Sequence, residues 1–392
     1  MPASPRFDDE ERRRRLVLRH HIAKPAGSVV DVAGDLVGLH SSDPATVFLS
    51  ARARIKGFRA EHLEDALYDT KNLGRVLGMR RTMFVLPVEL IPVVHAACTR
   101  ALAAAERRRL VKMVEEAGLV KDAERWVKKT EAATLEALRD MGEATATELS
   151  DRVPALKKKV HVGIGTKWEQ MIGLTTRILF LLATDAKVVR GRPRGSWLST
   201  QYRWAPTETW LGIDPESMTT EDACTELVRA WLAAYGPATM EDLMWWTGWT
   251  KRLTVQALDG AGAIEVRLEG STGYVLPDDI ASAKPSKPTA RFLPALDPTT
   301  MGWKERAWYL GDDKAALFDR NGNAGPTIWW DGRIVGGWAQ LASGEIVHRM
   351  LADAGSEAAT SIEKEAEAVQ MWLGNVRFIP RFRTPLEQEL TR

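Results

Sequence analysis

Cysteine is nearly absent: the 392 residues hold two, Cys98 and Cys224, too far apart for a Cys-x-x-Cys pair. That excludes a disulfide framework, a zinc finger and a cysteine-held iron–sulfur cluster. No stretch reaches the 18 or so consecutive apolar residues that a transmembrane helix needs. The N-terminal run MPASPRFDDEERRRR is charged and lacks the apolar core of a signal peptide, so secretion is not expected and the cytoplasm is the expected compartment. Also missing, in any suitable context, are G-x-G-x-x-G, the P-loop, H-E-x-x-H and G-x-S-x-G. Nothing therefore points to a dinucleotide, a nucleoside triphosphate, a zinc-dependent protease or a serine hydrolase.

What is present is a chain long enough for two to three domains at ~150 residues each, with 45% hydrophobic and 27% charged residues. Its net charge of +2 hides a division. Residues 1–200 carry 35 Lys/Arg against 25 Asp/Glu, a net of +10, whereas residues 201–392 carry 19 against 27, a net of −8. Within residues 151–200 the balance is 10 against 3. A basic half on a nearly neutral protein points to a polyanion-facing surface. Tryptophan is skewed the other way, with 12 of 15 after residue 200.

Residues 8–24 read as a helix with acids in its first turn and arginines behind them, the order that suits the helix dipole. The segment 29–55 reads as two helices around a polar break at His40–Pro44, with Asp31 as a cap for the first and Asp43, followed by Pro44, as the cap for the second. Residues 62–78 are expected to form an amphipathic helix and 79–87 a short strand. Helix, helix, helix, strand pair is the order of a winged helix. It recurs over 131–206, where a helix, a second beginning near Thr145, a lysine run and a third helix (WEQMIGLTTRILFLLATD) precede a strand, a basic loop and a returning strand. It recurs again over 225–279. Three passes of one plan point to tandem winged helices. A Pro/Lys/Ser-rich linker, ASAKPSKPTA at 281–290, marks a boundary. Beyond it WWDGRIVGGW reads as a hairpin on an Asp-Gly turn within a β-rich domain, followed by a helix near the C-terminus. The expected fold is α+β: winged helices over 1–120, 121–210 and 211–284, then a β-rich domain over 285–392.

Two groups of residues could carry function. Lys157, Lys158, Lys159, His161 and Lys167 flank the expected recognition helix, Arg177 lies within it, and Arg190, Arg192 and Arg194 sit with Trp197 in the expected wing. On a helix face and wing such residues can neutralise phosphates, although a solvated charged face gives the same sequence pattern. The second group is Gly38-Leu39-His40-Ser41-Ser42-Asp43-Pro44. Geometry argues against a Ser-His-Asp triad, because triads are assembled from distant segments and neighbours at a helix end rarely converge on one reacting atom. Two readings stay open: Asp43 and Ser42 as helix caps with His40 as a boundary polar group, or a polar break that holds a water. Trp245, Trp246, Trp249, Trp303, Trp308, Trp329, Trp330 and Trp338 are mostly assigned to packing. The segment Leu293–Pro298 shows turn chemistry only.

Six segments, GDLVGLHSSDPATVFLSARARI (34–55), MRRTMFVLP (79–87), RPRGSWLSTQYRW (192–204), AAYGPATMEDLMWWTGWTK (233–251), FLPALDPTTMGW (292–303) and GPTIWWDGRIVGGW (325–338), together resemble the AlkZ/YcaQ-like winged-helix DNA glycosylase family, in order and over nearly the whole chain. The resemblance implies tandem winged helices with a C-terminal β-barrel-like domain, and excision of N7-alkylated guanines and interstrand crosslinks by monofunctional glycosylases. It implies neither metal nor organic cofactor. The family's catalytic Gln-x-Gln or Gln-x-Asp falls on His40-Ser41-Ser42, so this chain departs from it at both catalytic positions and carries a His-x-Ser variant.

What the resemblance implies for the site is that His40 holds or deprotonates a water, Ser42 is its second partner and Asp43 offers negative charge to the developing sugar cation. The expected DNA contacts are Arg80, Arg81, Lys157, Lys158, Lys159, Lys167, Arg190, Arg192, Arg194 and Trp197. Duplex DNA carrying damage is the expected partner, bound by a monomer associated with the nucleoid, with no membrane involved. The alternative is a non-catalytic winged-helix DNA-binding protein or transcriptional regulator that kept the scaffold and lost the glutamines. Regulators usually pair half-sites through dimer symmetry, which three winged helices in one chain do not require.

Overall fold

Helices start where the sequence supplies a capping side chain. In the computed structural model, which describes residues 4–311 and 315–392, Asp8, Ser28, Asp43, Asp122, Thr145, Thr239 and Thr250 each accept a hydrogen bond from a backbone N–H in the first turn that follows. The charged N-terminal run begins with Met1–Ala3, which lie outside the described residues. The chain divides into two compact units, Met1–Leu63 with Thr225–Arg392, and Glu64–Cys224.

In the first unit the helices Asp9–Arg19, Val29–Asp35 and Pro44–Arg52 precede the polypeptide's excursion into the second; the helix Thr220–Tyr235 spans the return, and Met240–Thr247 and Lys251–Gly260 follow it. A hairpin, Ile264–Arg267 with Thr272–Val275, leads through the extended linker to the C-terminal sheet. The first helix is shorter than expected. The cap of Val29–Asp35 is Ser28, whose hydroxyl accepts from Asp31 N–H, rather than Asp31 itself. Asp31 is already inside the helix, where its charge complements the first turn.

The C-terminal sheet is an open antiparallel meander in the order Ala290–Leu293, Thr327–Trp330, Arg333–Gln340, Ile346–Met350. Asp331 and Gly332, both at positive φ, make the turn of the expected Asp-Gly hairpin. No closed barrel forms among the described residues. Helix Gly355–Leu373 instead lays Ala358, Ile362, Ala366, Val369 and Leu373, spaced at helical period, into the core and packs on both edge strands. Aromatic rings fill the rest. His20, Tyr235, Trp303, Trp308, Tyr309 and Trp329 follow one another at ring-centroid distances of 4.8–5.6 Å. Trp246, Trp249 and Trp338 are also buried, whereas Trp245 and Trp330 are half-buried.

The second unit packs the helices Arg100–Glu116, Ala123–Met141, Ala146–Arg152 and Leu174–Thr184 around Leu110, Val127, Leu138, Leu149, Ile178 and Leu182. Two expectations fail here. Residues 62–78 are helical only to Asp69, and Leu73–Leu77 is a strand paired with Met83–Pro87. All five residues of Leu73–Leu77 are buried, and Arg75 is tolerated because its guanidinium donates to Tyr202 Oη at 2.7 Å and lies over that ring. The expected third helix does not begin at Trp168. Gln170–Gly173 pairs with Lys159–Val162 as a hairpin, and the helix starts at Leu174. Val160 is buried and Ile172 opposite it half-buried against the core, a period-two pattern that the surrounding lysines hide. The strand, basic loop and returning strand over 188–206 form as expected.

Candidate active site and nucleic-acid interface

The His40–Asp43 loop lies between the two-residue strand Leu39–His40 and the helix Pro44–Arg52. Asp43 is buried and caps that helix, Oδ1 accepting from Ala45 N–H at 3.0 Å and Oδ2 from Arg381 N–H at 2.8 Å. Burial pushes its carboxyl above the ordinary value, and the two backbone donors pull the other way. Of the two open readings of the sequence, capping is therefore realised for Asp43, with both carboxylate oxygens engaged. Ser42 N–H donates to His40 Nδ1 at a long 3.5 Å, and the Arg381 guanidinium donates to Ser42 O at 3.1 Å. His40 and Ser41 are buried, and Ser42 is half-buried.

Along its length the same helix is fastened by polar side chains spaced four apart. Thr46 Oγ1 donates to Ala295 O at 2.7 Å, Ser50 Oγ to Asp297 Oδ2 at 2.6 Å, and Arg54, one turn on, forms a two-pronged pair with Asp297 at 2.6 and 2.9 Å. Arg54 also donates to the carbonyls of His20 and Ser50 and to Thr299 Oγ1, so this fully buried guanidinium is saturated. Burial alone would raise the Asp297 carboxyl, yet Arg54 and the Ser50 and Thr299 donors hold it below its ordinary value. The turn Leu293–Pro298 thus has a role that its sequence did not disclose: it fixes the helix that carries the loop.

Arg381 is a residue that the sequence reading missed. Its segment is strapped to the sheet by Gln340, which accepts from Phe378 N–H at 3.1 Å and donates to Val376 O at 3.0 Å. Of the three arginines in VRFIPRFR, Arg377 is spent on carbonyls of Ser343, Gly374 and Val376, and Arg383 on Glu387. Arg381 is the one of these that reaches the loop. A basic run inside an acidic half of the chain was the signal available.

The expected DNA-contacting residues all lie in the second unit, and they divide. Arg192 is bound to Asp69 at 2.9 Å and stacks on Tyr68; Arg190 lies over Tyr202 and Trp204. Arg190 is half-buried against those rings, whereas the Arg192–Asp69 pair lies at the surface. Arg80 and Arg81 form the positive-φ turn of a hairpin, with Arg81 paired to Glu106 at 3.0 Å. Arg194 is exposed and Trp197 half-buried in the loop between the strands Val188–Pro193 and Tyr202–Pro206. Lys157, paired with Asp151 at 2.8 Å, and Lys158, Lys159 and Lys167 are all exposed, but they border a hairpin and not a recognition helix. Arg177 is half-buried on the helix Leu174–Thr184.

The family described as DNA glycosylase AlkZ-like matches residues 33–372, which include the loop, its helix and the Asp297 turn. The chain belongs to this family. The DNA glycosylase AlkZ of Streptomyces sahachiroi superimposes with a TM-score of 0.72 at 20% identity, covering 96% of this chain and 99% of that one, so the fold is shared. An interstrand DNA cross-link repair glycosylase of the same organism is 26% identical over 158 residues. That match takes in 38% of this chain and 42% of the relative's length. Arg381 falls beyond the residues that the glycosylase family matches.

Proposed function

We propose that the chain hydrolyses the N-glycosidic bond of N7-alkylguanine-type bases in duplex DNA, crosslinked ones included, in DNA repair or resistance to a genotoxin. The observation that carries the proposal is the rigidly held His40–Asp43 loop at the start of a helix fixed at both ends, in a chain of a DNA glycosylase family. An N7-alkylated guanine is already cationic and leaves as a neutral base, so it needs no protonation. What the protein must supply is a placed water and an environment that favours an oxocarbenium-like sugar. Ser42 N–H at 3.5 Å from His40 Nδ1 ties the imidazole to the loop, where His40 holds or deprotonates the water. Ser42 is the second partner of that water. Asp43 fixes the loop and places a carboxylate beside it, and the Arg381 guanidinium holds the Ser42 carbonyl.

We further propose that the exposed lysines and Arg194 bind phosphates, that the protein works as a monomer at the nucleoid, and that the four-part winged-helix organisation read from the sequence underlies the two compact units. No feature of the described residues favours a transcriptional regulator. The test is base release from duplex DNA carrying N7-methylguanine. His40→Ala is expected to slow release by about 10²–10⁴-fold with DNA affinity unchanged. Equal losses of release and affinity would remove His40 from the chemistry, and release at the wild-type rate would place the water elsewhere.

A further inference from the structure

The hairpin formed by Lys159–Val162 and Gln170–Gly173 exposes apolar side chains that nothing in its own unit requires. Ile164 is 70% exposed, Trp168 71% and Met171 58%, three large hydrophobic residues within eight positions. A tryptophan this exposed is uncommon, and the group is a contiguous stretch of one element and not scattered surface. The tip is also pre-organised. Thr166 Oγ1 donates to Gly163 O at 2.7 Å and accepts from Trp168 N–H at 3.2 Å, while Glu169 accepts from Gly165 N–H at 2.9 Å. Gly163 and Gly165 take the positive φ the turn needs, and Lys167 Nζ sits 5.2 Å from the Trp168 ring. A loop whose polar groups are satisfied internally holds Ile164 and Trp168 outward without collapse.

Charge selects the occupant. Lys167 stands in the tip and His161 on the strand below it, while Lys158 and Lys159 lie at the open end of the same hairpin, with Lys157 just before them. The two acids are each engaged, Glu169 with His161 at 2.8 Å and Asp151 with Lys157 at 2.8 Å. An apolar tip carrying Lys167, on a hairpin whose base carries Lys158 and Lys159, complements a polyanion with an apolar interior, which describes the base stack of DNA between its phosphates. We propose that the 163–168 tip is a wedge that enters the base stack at a damaged site, with Trp168 and Ile164 replacing stacking contacts and the lysines holding the flanking phosphates. Unstacking is cheapest where a base is damaged or missing, so the wedge contributes lesion preference independently of the His40 loop. This rests on the DNA-acting reading above and extends it to recognition.

The experiment uses the full chain and a duplex with 2-aminopurine beside a tetrahydrofuran abasic analogue, which cannot be hydrolysed by a glycosylase. Wild type is expected to raise 2-aminopurine fluorescence on binding, and its preference for this duplex over undamaged DNA should fall about ten-fold or more in Ile164→Ala/Trp168→Ala. Trp168→Phe should keep most of both effects. The salt dependence of binding should be the same in all three, because the lysines are intact. No fluorescence rise with wild type, or an unchanged rise and preference in the double variant, would overturn the wedge. A tryptophan-dependent rise in a protein that releases no base from either N7-methylguanine or crosslinked duplex would uphold the wedge and remove the catalytic proposal.

Discussion

His20 shows how one buried residue can make stability depend on pH. Its ring lies between Thr299 Oγ1 at 2.9 Å and Ala234 O at 3.1 Å, stacked on Trp303. Full burial, then the neighbouring Arg54 charge, push its pKa from 6.5 to about 3. In the unfolded chain the imidazole takes up a proton below pH 6.5, while the folded chain does not. The stabilisation is therefore complete above the unfolded pKa and falls by about 1.4 kcal/mol per pH unit as pH drops below it. His20→Gln lacks this dependence. The stability gap between wild type and variant, measured by chemical denaturation, should narrow steadily from pH 6.5 towards pH 4.5, and a gap independent of pH would contradict the neutral, buried state.

At the scale of elements, the helix Pro44–Arg52 depends on partners distant in sequence. Asp43→Ala removes the acceptor of both Ala45 N–H and Arg381 N–H. Loss of a cap costs about 1 kcal/mol, and a stranded buried donor adds to that. A loss of about 1–2 kcal/mol is expected in chemical denaturation, with base release impaired at temperatures where the chain is still folded. Stability equal to wild type would mean that water replaces both partners. The cap itself was legible from Asp43-Pro44, because capping is local. The fastening of Ser50 and Arg54 to Asp297 was not, since it joins residues more than 240 apart. The returning strand of the hairpin, within residues 168–173, reads as the start of a helix because the lysines and the Gly-rich loop obscure the short inward face.

For the whole molecule the uneven charge has a measurable consequence. The net of +10 over residues 1–200 against −8 over 201–392 concentrates the polyanion-binding capacity in one part of the sequence. Replacing Lys158, Lys159 and Lys167 with Gln should flatten the dependence of log affinity on log salt by about one unit for each phosphate no longer neutralised, as read by fluorescence anisotropy on undamaged duplex. It should change lesion preference little. An unchanged slope would assign phosphate binding to other residues.

Local chemistry determined what the sequence could announce by itself: the helix starts at Asp43 and Thr145, the Asp331-Gly332 turn, the linker at 281–290, the basic stretch and the absence of cysteine-based sites. Each depends on residues a few positions apart, or on composition. Only the tertiary structure decided that Arg75 could lie in a buried strand, that the C-terminal sheet stays open beneath a helix, and that Arg192 serves Asp69. It also decided that Arg381 stands at the His40–Asp43 loop. Those outcomes turn on which distant group satisfies a buried charge or covers an apolar face, and neighbours in sequence do not encode that choice.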